Sequence, residues 1–201
     1  FDDLDPEWVD YKIAIAKRKK RFFDVEIPLI RKTTNLQAFE IAELEGRYFK
    51  YDLTRILKGK ALLLRFKAII KDDKATSIPV ESKLMPSFLK RMVRKGTNYI
   101  EDSFSAECED ATLTIKPFLI SRRKISKAVR KALREKAKAE LIEYVKTRDS
   151  NTLFDDLLKN QIQKPLSLKL KKVYPLSLCE IRVLKVTEFK AEKEKTTTKK
   201  K

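Results

Sequence analysis

Basic side chains dominate residues 121–138, which read SRRKISKAVRKALREKAK. Nine of these residues are Lys or Arg, and only Glu135 is acidic. Ammonium and guanidinium groups bind phosphate oxygens through charge-assisted hydrogen bonds. The chemistry that this stretch predicts is therefore the binding of a polyanion. Its candidate contact residues are Arg122, Arg123, Lys124, Lys127, Arg130, Lys131, Arg134 and Lys138.

The spacing of this stretch predicts an amphipathic helix. Its apolar residues recur at helical intervals, and its basic residues fall mostly on the opposite face. Like charges on one face repel each other, a cost that a bound polyanion offsets by releasing counterions. A solvated basic face is the alternative. Beyond Ala137 the apolar positions drift to another face, which predicts a bend. The residues expected to face the core are Ile125, Ala128, Val129, Ala132 and Leu133.

A second, shorter basic helix is predicted between Pro86 and Gly96. Pro suits the first turn of a helix, and Gly suits the position after its last turn. The predicted inner face holds Phe88, Leu89, Met92 and Val93, and the predicted basic face holds Lys90, Arg91, Arg94 and Lys95.

Five consecutive basic residues form a third candidate contact near the start of the chain. Such a run is typical of a nuclear address, a nucleic-acid contact or a solvated linker. In a chain this basic, a nucleic-acid contact is favoured. The residues are Lys17, Arg18, Lys19, Lys20 and Arg21.

The overall composition supports a nucleic-acid partner. The 201 residues include 47 Lys and Arg against 29 Asp and Glu, for a net charge of +18. A hydrophobic fraction of 42% is enough for a folded core. A membrane surface is the rival polyanion, but a membrane-binding helix would carry Trp, Phe or Leu where residues 121–138 carry mainly Ala, Val and Ile. No apolar run is long enough to span a membrane, and the acidic first residues do not resemble a signal peptide.

Several common catalytic and metal-binding groups are missing from the sequence. It contains no His, and two Cys cannot form a structural zinc site. Asp72-Asp73 suits a hairpin turn and Asp155-Asp156 the first turn of a helix, so neither predicts a catalytic pair. Cys108 and Cys179 stand in strand-like sequence, which indicates buried, reduced thiols and a cytosolic compartment. We predict no enzyme, no metal and no cofactor.

Alternating apolar and polar residues predict a series of strands. Residues 31–45 are loosely helical, and another helix starts at Ser150 or Asn151, buries Leu153 and its apolar neighbours, and ends at Pro165. Successive hairpins favour an antiparallel sheet. The fold class is thus α+β, with an antiparallel sheet or partly closed β-barrel of about six to seven strands flanked by three helices. The predicted strands are 22–27, 48–53, 61–70, 75–82, 99–108, 111–118 and 176–186.

The domain organisation follows from the charge pattern. We predict an acidic then basic arm over residues 1–21, a single α+β domain over 22–187, and a disordered charged tail over 188–201.

Four stretches, taken in order, resemble the archaeal and eukaryotic small-subunit ribosomal protein family called S-three-A-e, also the eukaryotic-type S-one family. The resemblance covers about residues 20–187, and the short loops look archaeal. Asp110-Ala111 departs from the Asp-Gly turn that is frequent in the family and makes a type I′ turn doubtful. The stretches are Gly46-Arg47 with Asp52-Leu53-Thr54 and Leu64-Arg65-Phe66-Lys67; Leu89 to Lys95; Ile115-Lys116-Pro117 with Ala128-Val129-Arg130-Lys131; and Val173-Tyr174-Pro175-Leu176 with Glu180-Ile181-Arg182.

This resemblance implies a non-catalytic constituent of the small ribosomal subunit, placed on the platform near the messenger exit in cytoplasmic ribosomes. It implies small-subunit ribosomal RNA and neighbouring ribosomal proteins as partners, and leaves messenger RNA and initiation factors as candidates. A free-standing RNA- or DNA-binding module is the alternative, and an RNA-processing enzyme is disfavoured. Tyr48, Tyr51 or Tyr99 could stack on an unpaired base, but aromatic residues in strands favour the core.

Overall fold

The computed structural model describes residues 19–57, 59–71 and 74–190. Within them the strands pair mostly antiparallel and do not close into a barrel. The strands are β1 (Arg21–Ile27), β2 (Lys32–Ala38), β3 (Tyr48–Asp52), β4 (Leu62–Lys71), β5 (Lys74–Leu84), β6 (Tyr99–Glu101), β7 (Phe104–Glu107), β8 (Ala111–Ser121) and β9 (Leu176–Phe189). The helices are α1 (Pro86–Met92), α2 (Lys127–Lys146), α3 (Ser150–Leu158) and α4 (Gln163–Lys171), with a 3-10 helix at Ile41–Leu44.

The predicted α+β class is confirmed. The described residues contain nine strands and four α-helices, whereas six to seven strands and three helices were predicted. By contacts the chain divides into two compact units. Of the described residues, those in 19–49 and 67–78 form the first unit, and those in 50–66 and 79–190 form the second. The predicted arm and tail boundaries stay predictions, because most of both segments lies outside the described residues. None of the helices in the described part is long and apolar enough to cross a bilayer.

In the first unit, β1 and β2 form an antiparallel hairpin, in register from Arg21 with Ala38 to Ile27 with Lys32. The helical prediction for residues 31–45 is wrong, because β2 occupies 32–38 and only one 3-10 turn follows. In β2 burial alternates and is complete at Ala38, as a half-buried strand requires. Helical spacing in this short polar segment was too weak to outweigh its pairing with β1.

In the second unit, β8 is the central strand. It pairs antiparallel with β9 from Ala111 to Ser121 and, on its other edge, with β6 and β7. The predicted strand 99–108 is therefore two short strands, separated at residues 102–103. The end of β5 pairs with the outer edge of β9.

Register shifts in the β8–β9 ladder decide which face of β9 is buried. One shift falls between Lys116 and Pro117, whose ring nitrogen cannot donate a ladder hydrogen bond. Beyond it the buried residues of β9 change from Cys179 and Ile181 to Leu184 and Val186. Strict alternation from Cys179 and Ile181 would bury Val183, which is instead only half-buried because the bulge changes the alternation.

Two helices replace the single one predicted from residue 150 to Pro165. Asn160 adopts a left-handed φ of 58° between α3 and α4, and Pro165 lies in the first turn of α4, where its missing N–H is tolerated. The predicted core positions Leu153, Phe154, Leu157 and Ile162 are buried, whereas Leu158 is half-buried.

Asp155 and Asp156 lie in the later part of α3, so their predicted position in its first turn is wrong. Asp155 forms an ion pair with Lys159 one turn on. Asp156 is buried, pairs with Arg148, and accepts a hydrogen bond from the Tyr144 hydroxyl at 3.0 Å. Burial, with the hydrogen bond to Asp156, raises the pKa of Tyr144 to about 12. These interactions hold the end of α2 to α3. Asp72 and Asp73 lie outside the described residues.

The turn between β7 and β8 also positions a helix. The Ser150 amide and hydroxyl donate to the Asp110 carboxylate at 2.9 and 2.5 Å. Although burial acts to raise it, hydrogen bonds from Ser150 and Cys108 lower the pKa of Asp110. Asp110 therefore acts as a distant cap for α3, beside the positive end of its dipole.

Both cysteines are buried free thiols. Burial, then the charge of Glu180, raises the pKa of Cys179 to about 12, and burial, then the hydrogen bond with Asp110, raises the pKa of Cys108. Since the thiolate is the reactive form, both thiols are protected in the native chain.

We expect neither Cys108 nor Cys179 to react with Ellman's reagent in the native protein at mildly alkaline pH, and both to react in guanidinium chloride. The denatured sample is the control that counts the two thiols. Rapid native labelling of either one would contradict the burial described above.

Candidate nucleic-acid interface

The predicted basic helix begins later than expected. Helix α2 begins at Lys127, and the Ser126 hydroxyl caps it by accepting a hydrogen bond from the Val129 amide at 3.4 Å. Arg122, Arg123 and Lys124 therefore precede the helix as exposed loop residues, and their helical prediction is wrong. The physical reason is that β8 extends to Ser121 and Ser126 is a strong N-cap, so the chain must bend between them.

The buried face of α2 also differs from the predicted one. It consists of Leu133, Ala137, Leu141 and Val145, spaced four residues apart in one helix. Ala128 and Ala132 are exposed. The predicted change of face beyond Ala137 is wrong, because Ala137 lies within a single stripe. Two Leu and one Val bury more apolar area than the alanines that suggested the other face.

Four basic residues form an exposed row along α2, at spacings of four, three and four. We call Lys127, Lys131, Arg134 and Lys138 the basic stripe; each is exposed. At this spacing they share one side of the helix. The Lys131 ammonium lies 3.8 Å from a carboxylate oxygen of Glu135, and the Lys138 ammonium lies 5.8 Å from the centre of the Phe104 ring.

Arg130 behaves differently from the other predicted contacts on α2. It is half-buried, and its Nε is buried without a hydrogen bond to any described residue. Its predicted place on the exposed face is therefore only partly correct.

The second predicted basic helix ends early. Helix α1 stops at Met92, with Val93 already in an extended conformation, so Gly96 is not its cap. Lys90 and Arg91 lie in the last turn of α1, and Arg94 and Lys95 follow it in a turn. The predicted common helix face is thus wrong, although all four basic side chains are exposed.

The inner face predicted for α1 is correct only at its centre. Phe88 and Leu89 are buried, Met92 is half-buried, and Val93 is 36% exposed. The Arg91 guanidinium lies 3.4 Å from the Gly59 carbonyl oxygen and 5.8 Å from the centre of the Phe88 ring. These contacts orient Arg91 while leaving it accessible.

The N-terminal basic run is described only in part. Lys19, Lys20 and Arg21 are exposed at the start of β1 in the first unit. The Lys20 ammonium lies 5.6 Å from the centre of the Phe39 ring. Lys17 and Arg18 lie outside the described residues.

One basic surface was missed by sequence reasoning. On the outer face of the second unit's sheet, Lys83 on β5 pairs with Val183 on β9. Val183 pairs in turn with Lys116 on β8. The next row on that face contains Glu81 and Lys185. The alternation of β5 and β8 could have revealed these lysines, since they occupy positions opposite the core.

Two of the three candidate stacking tyrosines do not belong to the core. Tyr48 is 48% and Tyr99 56% exposed, while Tyr51 is half-buried. The preference for a core role is therefore wrong for Tyr48 and Tyr99. No group of three or more metal-ligating side chains is placed to hold a metal ion within the described ranges.

The corrected orientation of α2 makes a stability prediction. Leu133→Ala should lower the free energy of unfolding by about 2–5 kcal/mol, because it removes buried methyl groups and leaves a cavity. Ala132→Gln on the neighbouring exposed position should change it by under about 0.5 kcal/mol. Urea denaturation of both variants is the measurement. A larger loss for Ala132→Gln would contradict the orientation.

The sequence was compared with known proteins. It is 23% identical to the protein named small ribosomal subunit protein eS1 of Pyrobaculum neutrophilum, an alignment that covers 92% of this chain and 89% of the relative. It is 24% identical to the protein of the same name from Nanoarchaeum equitans, covering 82% of this chain and 87% of the relative. The family model of the Ribosomal S3Ae family matches residues 13–190. The resemblance and the prediction of a non-enzyme are confirmed: the chain belongs to the Ribosomal S3Ae family.

Proposed function

We propose that this chain is a structural constituent of the small ribosomal subunit and binds ribosomal RNA on the platform, near the messenger exit. The family match over residues 13–190 supports the ribosomal role. The observation that carries RNA binding is the basic stripe, a row of exposed cations on a helix fixed to a core.

The stripe is preorganised by the buried face of α2. Leu133, Ala137 and Leu141 are almost completely buried, so the helix does not have to fold when RNA binds. From Lys127 to Lys138 the stripe extends about 16 Å along the helix axis. Rigid placement matters because ordering flexible side chains and backbone on binding costs free energy. The stripe therefore offers a preformed row of phosphate contacts.

A second group of cations extends the surface of the second unit. Lys90, Arg91, Arg94 and Lys95 are exposed within six residues of chain. Arg guanidinium groups can form paired hydrogen bonds with a phosphate. Recognition by such groups reads the shape and backbone of RNA, because A-form RNA hides the base edges of its major groove. The sheet holds these groups in place, and the base sequence of the RNA contributes little to recognition.

Other predicted contacts complete the proposal. The cations of residues 17–21 and of the tail from residue 188 are further candidate contacts to RNA phosphates. Neighbouring ribosomal proteins are the second class of partner, and messenger RNA and initiation factors are further candidates near the exit. The particle would be the cytoplasmic ribosome.

Replacing one cation of the stripe tests its role. Lys131→Gln or Arg134→Gln should weaken binding to small-subunit ribosomal RNA and reduce the slope of log affinity against log salt by about 0.7–0.9. Base preference should not change, since phosphates are alike in every sequence. The measurement is fluorescence anisotropy at several salt concentrations.

A matched control has the same charge change outside the proposed contacts. Lys159→Gln removes an exposed lysine that already pairs with Asp155 and should leave the slope unchanged. A changed base preference at an unchanged slope in Lys131→Gln would refute phosphate contact by the stripe.

Assembly is tested by sucrose-gradient sedimentation of a lysate of the source cell. We expect the chain to migrate with the small subunit and to remain there at moderate salt. A chain that stays at the top of the gradient at low salt would contradict the ribosomal proposal. It would favour the free-standing RNA- or DNA-binding module, which the charge of +18 would equally serve.

A further inference from the structure

A groove with a volume of about 480 Å³ lies on the second unit, beside α1 and β6. Its apolar wall includes Leu89, Val93, Tyr99 and Phe118, and Lys90 and Arg182 also line it. We call this the Tyr99 groove. Neither the basic stripe nor the loop that precedes α2 contributes a side chain to its lining.

Tyr99 is an exposed aromatic ring with a rigid support. Its ring stacks on that of Phe118, with centroids 6.1 Å apart and planes inclined by 22°. Phe118 is 2% exposed, whereas Tyr99 is 56% exposed. The Phe118 ring is thus anchored in the core and supports the Tyr99 ring, whose exposed surface can serve as a stacking platform.

The backbone beneath this platform is held to β8. Tyr99 pairs with Ile120 in the β6–β8 ladder. The preceding residue, Asn98, accepts a hydrogen bond from the Ser121 amide at 2.9 Å and donates its own amide to the Ser121 hydroxyl at 3.0 Å. The Tyr99 ring is therefore presented with little conformational freedom, which lowers the entropy cost of stacking on it.

The charge around the groove is mainly positive. Lys90 is exposed, and Arg182 pairs with Glu101, the one acidic lining residue, at 2.9 Å. Arg94 and Lys95 follow α1 as exposed residues. A flat apolar ring with cations beside it complements a ligand that combines a flat aromatic group with negative charge. An unpaired nucleotide has this combination, since its base stacks on aromatic side chains and its phosphate pairs with Lys or Arg.

We propose that the Tyr99 groove binds an unpaired base of single-stranded RNA. The base stacks on Tyr99, and Lys90 contacts a flanking phosphate. A base within a duplex is already stacked and paired, so the groove selects an unpaired strand. This inference rests on the proposed RNA-binding function and deepens it by naming the form of RNA that one site takes.

The test compares two probes with the full-length chain. One is a fluorescein-labelled oligouridylate, and the other is its abasic counterpart, which keeps the sugars and phosphates but lacks the bases. The native chain should bind the oligouridylate at least about fivefold more tightly, the lower end for one stacked base. Tyr99→Leu should abolish this preference without changing the salt slope, and Tyr99→Phe should retain it.

A control variant and three outcomes make the test decisive. Leu168→Ala alters an exposed apolar residue outside the groove and should keep the preference. Equal affinity of the native chain for both probes would overturn the base site, even if Tyr99→Leu fails to fold, and would favour a protein segment as occupant. A preference that survives in folded Tyr99→Leu would overturn the role of Tyr99. If the native chain binds neither probe at low salt, the proposed RNA-binding function is overturned, and this site with it.

Discussion

The β8–β9 ladder is the interaction on which the second unit depends. It joins Ala111 to Phe189 at one end and Ser121 to Leu176 at the other, and it buries Leu113, Ile115 and Leu119. Every candidate contact in this unit leaves from the ladder or pairs with it. The basic stripe follows β8 after one short loop, β6 carries Tyr99 and pairs with the edge of β8 that faces away from β9, and β5 pairs with β9 before α1 begins. A sheet with long hydrogen-bonded strands thus fixes the positions of side chains that would be mobile in a basic peptide.

The charge distribution explains why such a scaffold is needed. A net charge of +18 on 201 residues favours expansion of the chain by self-repulsion. One largely buried ion pair of the second unit, between Lys60 and Glu180 at 2.7 Å, opposes this repulsion locally. Exposed pairs such as Lys131 with Glu135 contribute little to stability. The apolar core must therefore oppose the repulsion, and a bound polyanion that favours the folded chain would add to its stability.

The sequence predicted the family and the fold class better than the ends and buried faces of single elements. Alternation located β1, β3, β4 and β9 because their inner faces are apolar, and the basic residues of the stripe were identified because charge can be read directly. Helix ends were predicted less well. Gly96 and Pro165 are strong local signals, but α1 ends four residues before the Gly and α4 holds the Pro in its first turn. Both errors arise because tertiary pairing, not local preference, decided where the chain turned. The face of α2 was misassigned for the same reason, since its true core contacts lie along the chain after Ala132. The bulge beside Pro117 could not be derived from one strand alone, because it is a property of the β8–β9 pair.

The two surfaces of the second unit that are proposed to bind RNA differ in the free energy that each would contribute. Contacts between the basic stripe and phosphates depend strongly on salt and hardly on sequence, because they act through released counterions. Stacking on Tyr99 depends on an available base and only weakly on salt. A duplex offers phosphates to the stripe but no unpaired base to Tyr99. A flexible single strand offers both, but it contacts the stripe only if its backbone can follow the helix. The combination therefore favours RNA in which a structured backbone lies next to an unpaired nucleotide. In the proposed complex, Tyr99 would distinguish such an RNA from a uniform duplex, and the stripe would supply affinity that a single stacked base cannot.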